Sequence, residues 1–176
     1  MRECNFCGKS IVRRNAQARF CSDKCRNYAR LRRLRSPLPE QLTEKDRWVR
    51  RTRSKVPLTV TGEPASSTDP ATWSTYSAAA ASRKGIGLGF VLGDGIACVD
   101  LDHVVTGDGI DARALALIEK IKPFYVELSP SGDGLHAWLT SPSPTGRKRY
   151  RQEDGLSVEW YDSDRYITVT GERVTP

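Results

Sequence analysis

From Gly85 onward, short apolar runs alternate with clusters of glycine, aspartate and proline. This pattern is typical of strands joined by tight turns. GLGFVL and IACVDLD flank the turn residues GDG and predict a β-hairpin, and FYVEL, LHAWLT, LSVEWY and YITVT predict further strands. Between them, DARALALIEKIK carries Leu115, Ile118 and Ile121 at helical spacing, which predicts an amphipathic helix.

Upstream of Gly85 the apolar pattern is weaker. Residues 48–64 hold short apolar runs broken by proline and glycine, which predicts extended chain. In TDPATWSTYSAAAASRK a helix should begin, with Asp69 as its N-cap and Pro70 in the first position, where the missing N–H costs nothing. The pattern therefore predicts a mixed α+β sheet domain with helices packed on one face.

Four of the five cysteines fall within the first 25 residues. Two residues separate Cys4 from Cys7, and three residues separate Cys21 from Cys25. Thirteen residues lie between the two pairs. This spacing predicts a tetrahedral zinc site. The second pair is expected at a helix N-terminus, where the dipole favours thiolate. We predict a zinc-binding module over residues 1–35, a linker over 36–47 and a catalytic domain over 48–176.

Charge separates the same regions. The formal net charge is +7, but residues 1–55 hold 17 Lys and Arg against 5 Asp and Glu, whereas the remainder holds 11 against 16. The run RNYARLRRLR after the last clustered cysteine carries five arginines, which predicts a finger that contacts DNA or RNA. A protein-interaction finger and a solvated basic arm are the alternatives. No apolar run approaches the ~20 residues of a membrane span, and no signal peptide is evident, so a cytoplasmic protein without membrane contact is expected.

Candidate chemistry begins in the strand IACVDLDH. Side chains two apart on a strand share a face, so Asp100 and Asp102 can point at one cation, and carboxylates suit Mg²⁺ or Mn²⁺. Turn-capping acids or a solvated strand end would give the same pattern. Glu159 lies in the apolar strand LSVEWY, where a carboxylate is usually paired or metal-bound.

A Ser- and Gly-rich loop precedes the strand that carries His136, in ELSPSGDGLHAW. Glycine lets backbone N–H groups approach phosphate oxygens, and a histidine there can donate to a phosphate or transfer a proton. A plain turn with a surface histidine is the alternative.

Taken in order, VDLD, SPSGDGLH and VEWYDSDRYITVTG resemble the three motifs of the archaeo-eukaryotic primase superfamily. The closest resemblance is to the primase-polymerase domains of phage and plasmid replication proteins. It covers roughly residues 46–174, and the flanks KVPLTVTG, TDPATWSTY and GIGLGFVL are similar as well.

The resemblance implies an RRM-like palm sheet and the following site residues. Asp100 and Asp102 would hold two divalent metals, with Glu159 completing the site. His136 would join the loop residues in binding the triphosphate of the nucleotide, with two basic residues as further phosphate contacts. The loop and basic residues are Ser129, Ser131, Gly132, Lys55 and Arg165. Many relatives have Asp as the third acid, so Asp162 and Asp164 compete with Glu159.

The implied activity is that of a nucleotidyltransferase, a DNA primase or primer-extending polymerase using nucleoside triphosphates on a single-stranded DNA template. The zinc finger would hold the template, and a replicative helicase is a possible partner. The sequence stops soon after the last motif without a helicase ATPase motif, so we expect either a fragment of a longer replication protein or a small stand-alone one. The rivals are a non-catalytic nucleic-acid-binding protein and, less favoured, a nuclease.

Other residues of interest are expected to be structural. Cys98 should pack in the core. The tryptophans are expected in the core rather than stacked on bases, namely Trp48, Trp73, Trp138 and Trp160. His103 follows the acidic pair and has a minor chance of touching the metal site.

Overall fold

The structure is a computed structural model that describes residues 4, 10–11, 18–23, 25–26, 37–141, 148–151 and 155–175. Within these residues the chain forms antiparallel sheets of four, five and two strands together with short helices. This arrangement confirms the α+β prediction. None of the helices described is long and apolar enough to cross a membrane.

The four-stranded sheet combines strands that lie far apart in the sequence. In spatial order its strands are β11 (Tyr166–Val169), β3 (Gly87–Val91), β1 (Trp48–Arg51) and β2 (Pro57–Leu58). Two short helices, α1 (Glu40–Thr43) and α2 (Tyr76–Ala81), contribute Leu42 and Ala79 to the core that this sheet covers.

The five-stranded sheet contains the motif strands. In spatial order these are β7 (Tyr125–Leu128), β8 (Leu135–Thr140), β4 (Ile96–Asp102), β10 (Ser157–Tyr161) and β9 (Lys148–Arg151). After β4 come a small hairpin, β5 (Val105–Thr106) with β6 (Gly109–Ile110), and helix α3 (Ala112–Ile121).

Strand β4 contributes to two cores, because alternate side chains of a strand point to opposite faces. Val99 and Leu101 join the core that includes Ala114 and Ile118 of α3. On the other face, Cys98 lies in a core built with the four-stranded sheet. A helix therefore covers one face of this sheet, as predicted, and a second sheet covers the other.

All of the expected structural residues except Trp73 take part in these cores. Cys98 is fully buried, as are Trp48 and Trp138, which confirms their predicted packing roles. Trp160 is partly buried against the α3 core. Trp73 lies under the guanidinium of Arg47, whose Cζ is 4.2 Å from the ring centroid, and its indole N–H donates to the carbonyl of Ser66.

The predicted hairpin of GLGFVL and IACVDLD is wrong, although its turn is present. Asp94 and Gly95 have φ of 52° and 79°, as a type I′ turn requires, and Gly93 and Ile96 exchange backbone hydrogen bonds. Beyond the turn, however, β3 pairs with β1 and β11, while β4 pairs with β8 and β10. The turn carries the chain from one sheet to the other, because each flanking strand has other partners on both edges.

The helix predicted after Asp69 starts as expected but is interrupted. The Asp69 carboxylate accepts from the Ala71 N–H, and a 3₁₀ helix spans Pro70–Thr72. Ser74 then forms a β-bridge with Trp48, which requires extended backbone. The helix resumes as α2 after Thr75, whose hydroxyl accepts from the Ala78 N–H.

The start of β8 passes very close to β4, which gives a test of this packing. Gly134→Ala is expected to destabilise the protein by about 1–3 kcal/mol, since the added Cβ would lie 2.6 Å from the Leu101 carbonyl oxygen. Gly107→Ala is the control, because a Cβ there meets nothing within 4 Å. Urea unfolding checks the prediction, and equal midpoints for the two variants would contradict it.

Candidate active site

A row of polar side chains crosses the five-stranded sheet. The strand register places Glu127 opposite His136, His136 opposite Asp100, and Asp100 opposite Glu159. Directly opposed residues in antiparallel strands have Cβ atoms about 5 Å apart on one face. The sheet thus brings together three residues that the sequence singled out, on the face toward the four-stranded sheet.

Asp100 has the most perturbed environment of the row. Its side chain is only 25% exposed, and burial raises the pKa of the carboxyl. His136 and Lys55 lower that pKa, whereas the neighbouring charges of Asp102 and Glu159 raise it further. Asp102 lies two residues along β4, on the same face and exposed at the strand end. A positive charge beside Asp100 would relieve this repulsion.

These acids suit a divalent cation in chemistry, since all three offer hard oxygen ligands on one face. They are not gathered tightly: in the described part of the chain, only the cysteine cluster has three or more metal-ligand atoms within 4.8 Å of one another. The Glu159 carboxylate accepts a hydrogen bond from the Tyr161 hydroxyl. Asp162 and Asp164, the competing third acids, lie beyond the end of β10.

His136 lies between two carboxylates and is nearly buried. Its Nε2 is 3.7 Å from Asp100 Oδ1 and its Nδ1 is 3.4 Å from Glu127 Oε1. Sequence reasoning missed Glu127, although the signal was present: an acid within the apolar strand FYVEL is the same signal that singled out Glu159.

A cavity of about 330 Å³ opens beside Asp100 and His136, between the two sheets. Lys55 and Arg165, the predicted phosphate contacts, both line it. The Arg165 guanidinium lies over the Tyr161 ring, with Cζ 4.3 Å from the centroid. The backbone carbonyl of Lys55 accepts from the Tyr166 hydroxyl. These contacts fix the Arg165 guanidinium and the Lys55 backbone beside the cavity.

The Ser- and Gly-rich loop lines a second cavity of about 390 Å³. Ser129 Oγ is 2.8 Å from Ser131 Oγ and accepts from the Gly134 N–H, while Gly132 has a φ of 78°. Thr168 of β11 lines the first cavity, and Val169, the next residue of that strand, lines the second.

Two further residues bear on this loop. Arg51 lines the second cavity, and its Nε is buried without a hydrogen-bond partner among the described residues. Sequence reasoning did not single it out from the other arginines of that stretch. His103 has its Nδ1 2.8 Å from Asp133 Oδ2, so its contact is with the loop.

The N-terminal cysteines lie close together. The Sγ atoms of Cys4, Cys21 and Cys25 all lie within 4.8 Å of one another, and Cys7 lies outside the described residues. The Ser22 hydroxyl accepts from the Cys25 N–H at 3.2 Å, and Asp23, Cys25 and Arg26 have helical backbone. Soft thiolates grouped in this way suit zinc.

Comparison with known proteins adds the family. The model of the bifunctional DNA primase/polymerase N-terminal domain matches residues 26–176. The chain belongs to this family. A DNA primase-polymerase of Nitratiruptor phage NrS-1 is 40% identical over 134 residues, which cover 71% of this chain and 18% of the phage protein. The chain therefore corresponds to a small part of that relative.

Membership in the primase/polymerase family confirms the predicted family resemblance, and DNA primase-polymerases are nucleotidyltransferases. In this member, Asp100 and His136 line one cavity and the serine loop lines the other.

The buried charge of Asp100 generates a stability prediction. Asp100→Asn should raise the melting temperature near pH 7 without added magnesium or manganese, by roughly 2–4 °C for each ~1 kcal/mol gained. Because the pKa of Asp100 is raised in the folded protein, its ionised form weakens folding above that pKa, and the penalty vanishes as pH falls below 3.8, the ordinary pKa of an aspartate.

Thermal melts between about pH 7 and pH 4 check this, and the advantage of the variant should shrink in acid. Asp108→Asn, at an exposed turn, is the matched control and should change little. An Asp100→Asn protein that melts lower than wild type near pH 7 would contradict the prediction.

Proposed function

We propose that this chain carries out template-dependent nucleotidyl transfer on single-stranded DNA with nucleoside triphosphates, as a primase or primer-extending polymerase in phage or plasmid replication. The observation that carries the proposal is the row of His136, Asp100 and Glu159 beside a cavity rimmed by Lys55 and Arg165. Carboxylates that can bind a metal cation, together with basic side chains that can bind phosphates, suit a reaction of a polyanionic nucleotide at a cation site.

Asp100 and Asp102 would hold Mg²⁺ or Mn²⁺, with Glu159 completing the ligands of a two-metal site. When bound, such cations favour ionisation of the attacking 3′-hydroxyl and neutralise charge on the leaving pyrophosphate. The chain itself supplies the placement of these acids. The perturbed Asp100 supports this role, because its buried charge is most readily compensated by a cation.

The nucleotide would lie across both cavities. His136, through Nε2, and the basic pair would contact its phosphates from the first cavity. The loop with Ser129, Ser131 and Gly132 would offer its hydroxyls and backbone N–H groups from the second. Positioning of this kind supplies most of the acceleration in phosphoryl transfer.

The N-terminal cysteines would bind structural zinc and, with the arginine-rich run that follows, hold the template. That run lies mostly outside the described residues. An RRM-like palm and a helicase partner belong to the same proposal.

The main rival is a primase-fold protein that binds nucleic acid without catalysis. Asp100→Asn combined with Asp102→Asn separates the two, because it preserves side-chain size but removes the charges that cations require. We expect incorporation of labelled nucleotide to fall to background, while binding of single-stranded DNA is retained. The assay uses a single-stranded template with Mg²⁺ or Mn²⁺, with and without a primer.

Asp108→Asn combined with Glu119→Gln is the matched control, since it removes two negative charges from exposed positions. It should incorporate nucleotide as wild type does. Wild-type protein that binds DNA but incorporates no nucleotide under any of these conditions would overturn the proposal in favour of the non-catalytic rival.

The zinc proposal has its own test. Purified protein should contain about one zinc ion per chain, and Cys25→Ser should lose it because a ligand is missing. Cys98→Ala should keep the metal, since Cys98 lies in the sheet core. Metal analysis that finds no zinc in wild type, with the clustered thiols freely titratable, would remove the finger from this account.

A further inference from the structure

Glu127 is a fully buried carboxylate at the end of the polar row. Burying an acid is costly unless it is well hydrogen-bonded. Glu127 meets this condition on both oxygens. Oε1 lies 3.4 Å from His136 Nδ1 and 3.4 Å from Trp138 Nε1.

The other oxygen reaches the four-stranded sheet. Oε2 accepts from the Gly171 N–H at 2.8 Å and from the Thr170 N–H and hydroxyl at 3.1 and 3.2 Å. These two residues directly follow β11, the strand that lines both cavities. The Tyr125 hydroxyl, at 3.4 Å, completes the set. The Glu127 side chain therefore links His136 to the residues that directly follow β11.

The chemistry of these partners constrains the histidine. An indole N–H and a backbone N–H can only donate, and a carboxylate can only accept. A neutral imidazole carries its proton on either nitrogen, so the partner of one nitrogen decides the state of the other. With Nδ1 facing the Glu127 carboxylate, the bound proton belongs on Nδ1, and Nε2 is directed toward Asp100.

We infer that Glu127 is a positioning residue, which holds His136 with a proton on Nδ1 so that Nε2 faces the cleft. The same contacts fix the chain that leaves β11 against the five-stranded sheet. The consequence for nucleotide binding rests on the proposed function, whereas the state of the ring does not.

The protonation state of the His136 ring can be measured directly in the full chain. The chain has only two histidines, so a ¹⁵N spectrum of the imidazole nitrogens contains two spin systems. The system that disappears in the His103→Gln variant belongs to His103, and the remaining one belongs to His136. We expect a protonated Nδ1 on His136 in wild type at neutral and mildly alkaline pH. A His136 ring with an unprotonated Nδ1 would overturn the inference, and this measurement requires no Glu127 variant to fold.

Glu127→Gln adds a second readout. The carboxamide can keep its oxygen on Thr170 and Gly171 and turn its NH₂ toward His136, which then accepts at Nδ1 and carries its proton on Nε2. Glu119→Gln, on the exposed face of α3, should leave the spectrum unchanged.

Kinetics separate positioning from support of the fold. Glu127→Gln should raise the KM for nucleotide about 10- to 100-fold in an otherwise wild-type chain, and should add little in a His136→Ala background. An equal further loss in both backgrounds would mean that Glu127 acts independently of His136, which overturns the inference. Wild-type protein that incorporates no nucleotide would refute only the proposed function, because the imidazole spectrum tests the role of Glu127 separately.

Discussion

The site depends on one strand that is buried on both faces. β4 packs against α3 on one side and against the four-stranded sheet on the other, and its acids follow where that burial ends. Because β4 is the central strand of its sheet, Asp100 has a paired neighbour on both sides. Asp100 is therefore placed by the two cores, with His136 and Glu159 aligned on it by backbone pairing.

Local features of the fold were predictable from the sequence. Apolar alternation located the strands, the type I′ turn at Asp94 follows from its turn residues, and Asp69 is a cap because its carboxylate is placed to accept a nearby N–H. The pairing of β3 and β4 with other strands was not predictable, since it depends on which long-range partners bury more surface. For the same reason, the division of the strands among separate sheets could not be predicted from the sequence.

The candidate site shows the same division. Spacing alone placed Asp100 and Asp102 on one face, and an acid in an apolar strand singled out Glu159. Glu127 carried that second signal too, but its meaning lies in donors contributed by Thr170 and Gly171, more than 40 residues away in sequence. Only the register of the sheet shows that these acids belong to a single row.

The strand order also sets when the site can exist during synthesis. Strand β4 pairs with β8 and β10. Both follow β4 in the sequence, and β10 is complete only at Tyr161. Until β10 is complete, β4 is an apolar strand with an unpaired edge. Unpaired strand edges make folding intermediates prone to aggregation. Non-local pairing of this kind also folds slowly. Charged residues beside an apolar segment disfavour association between chains, and Asp100 and Asp102 lie at the end of this one.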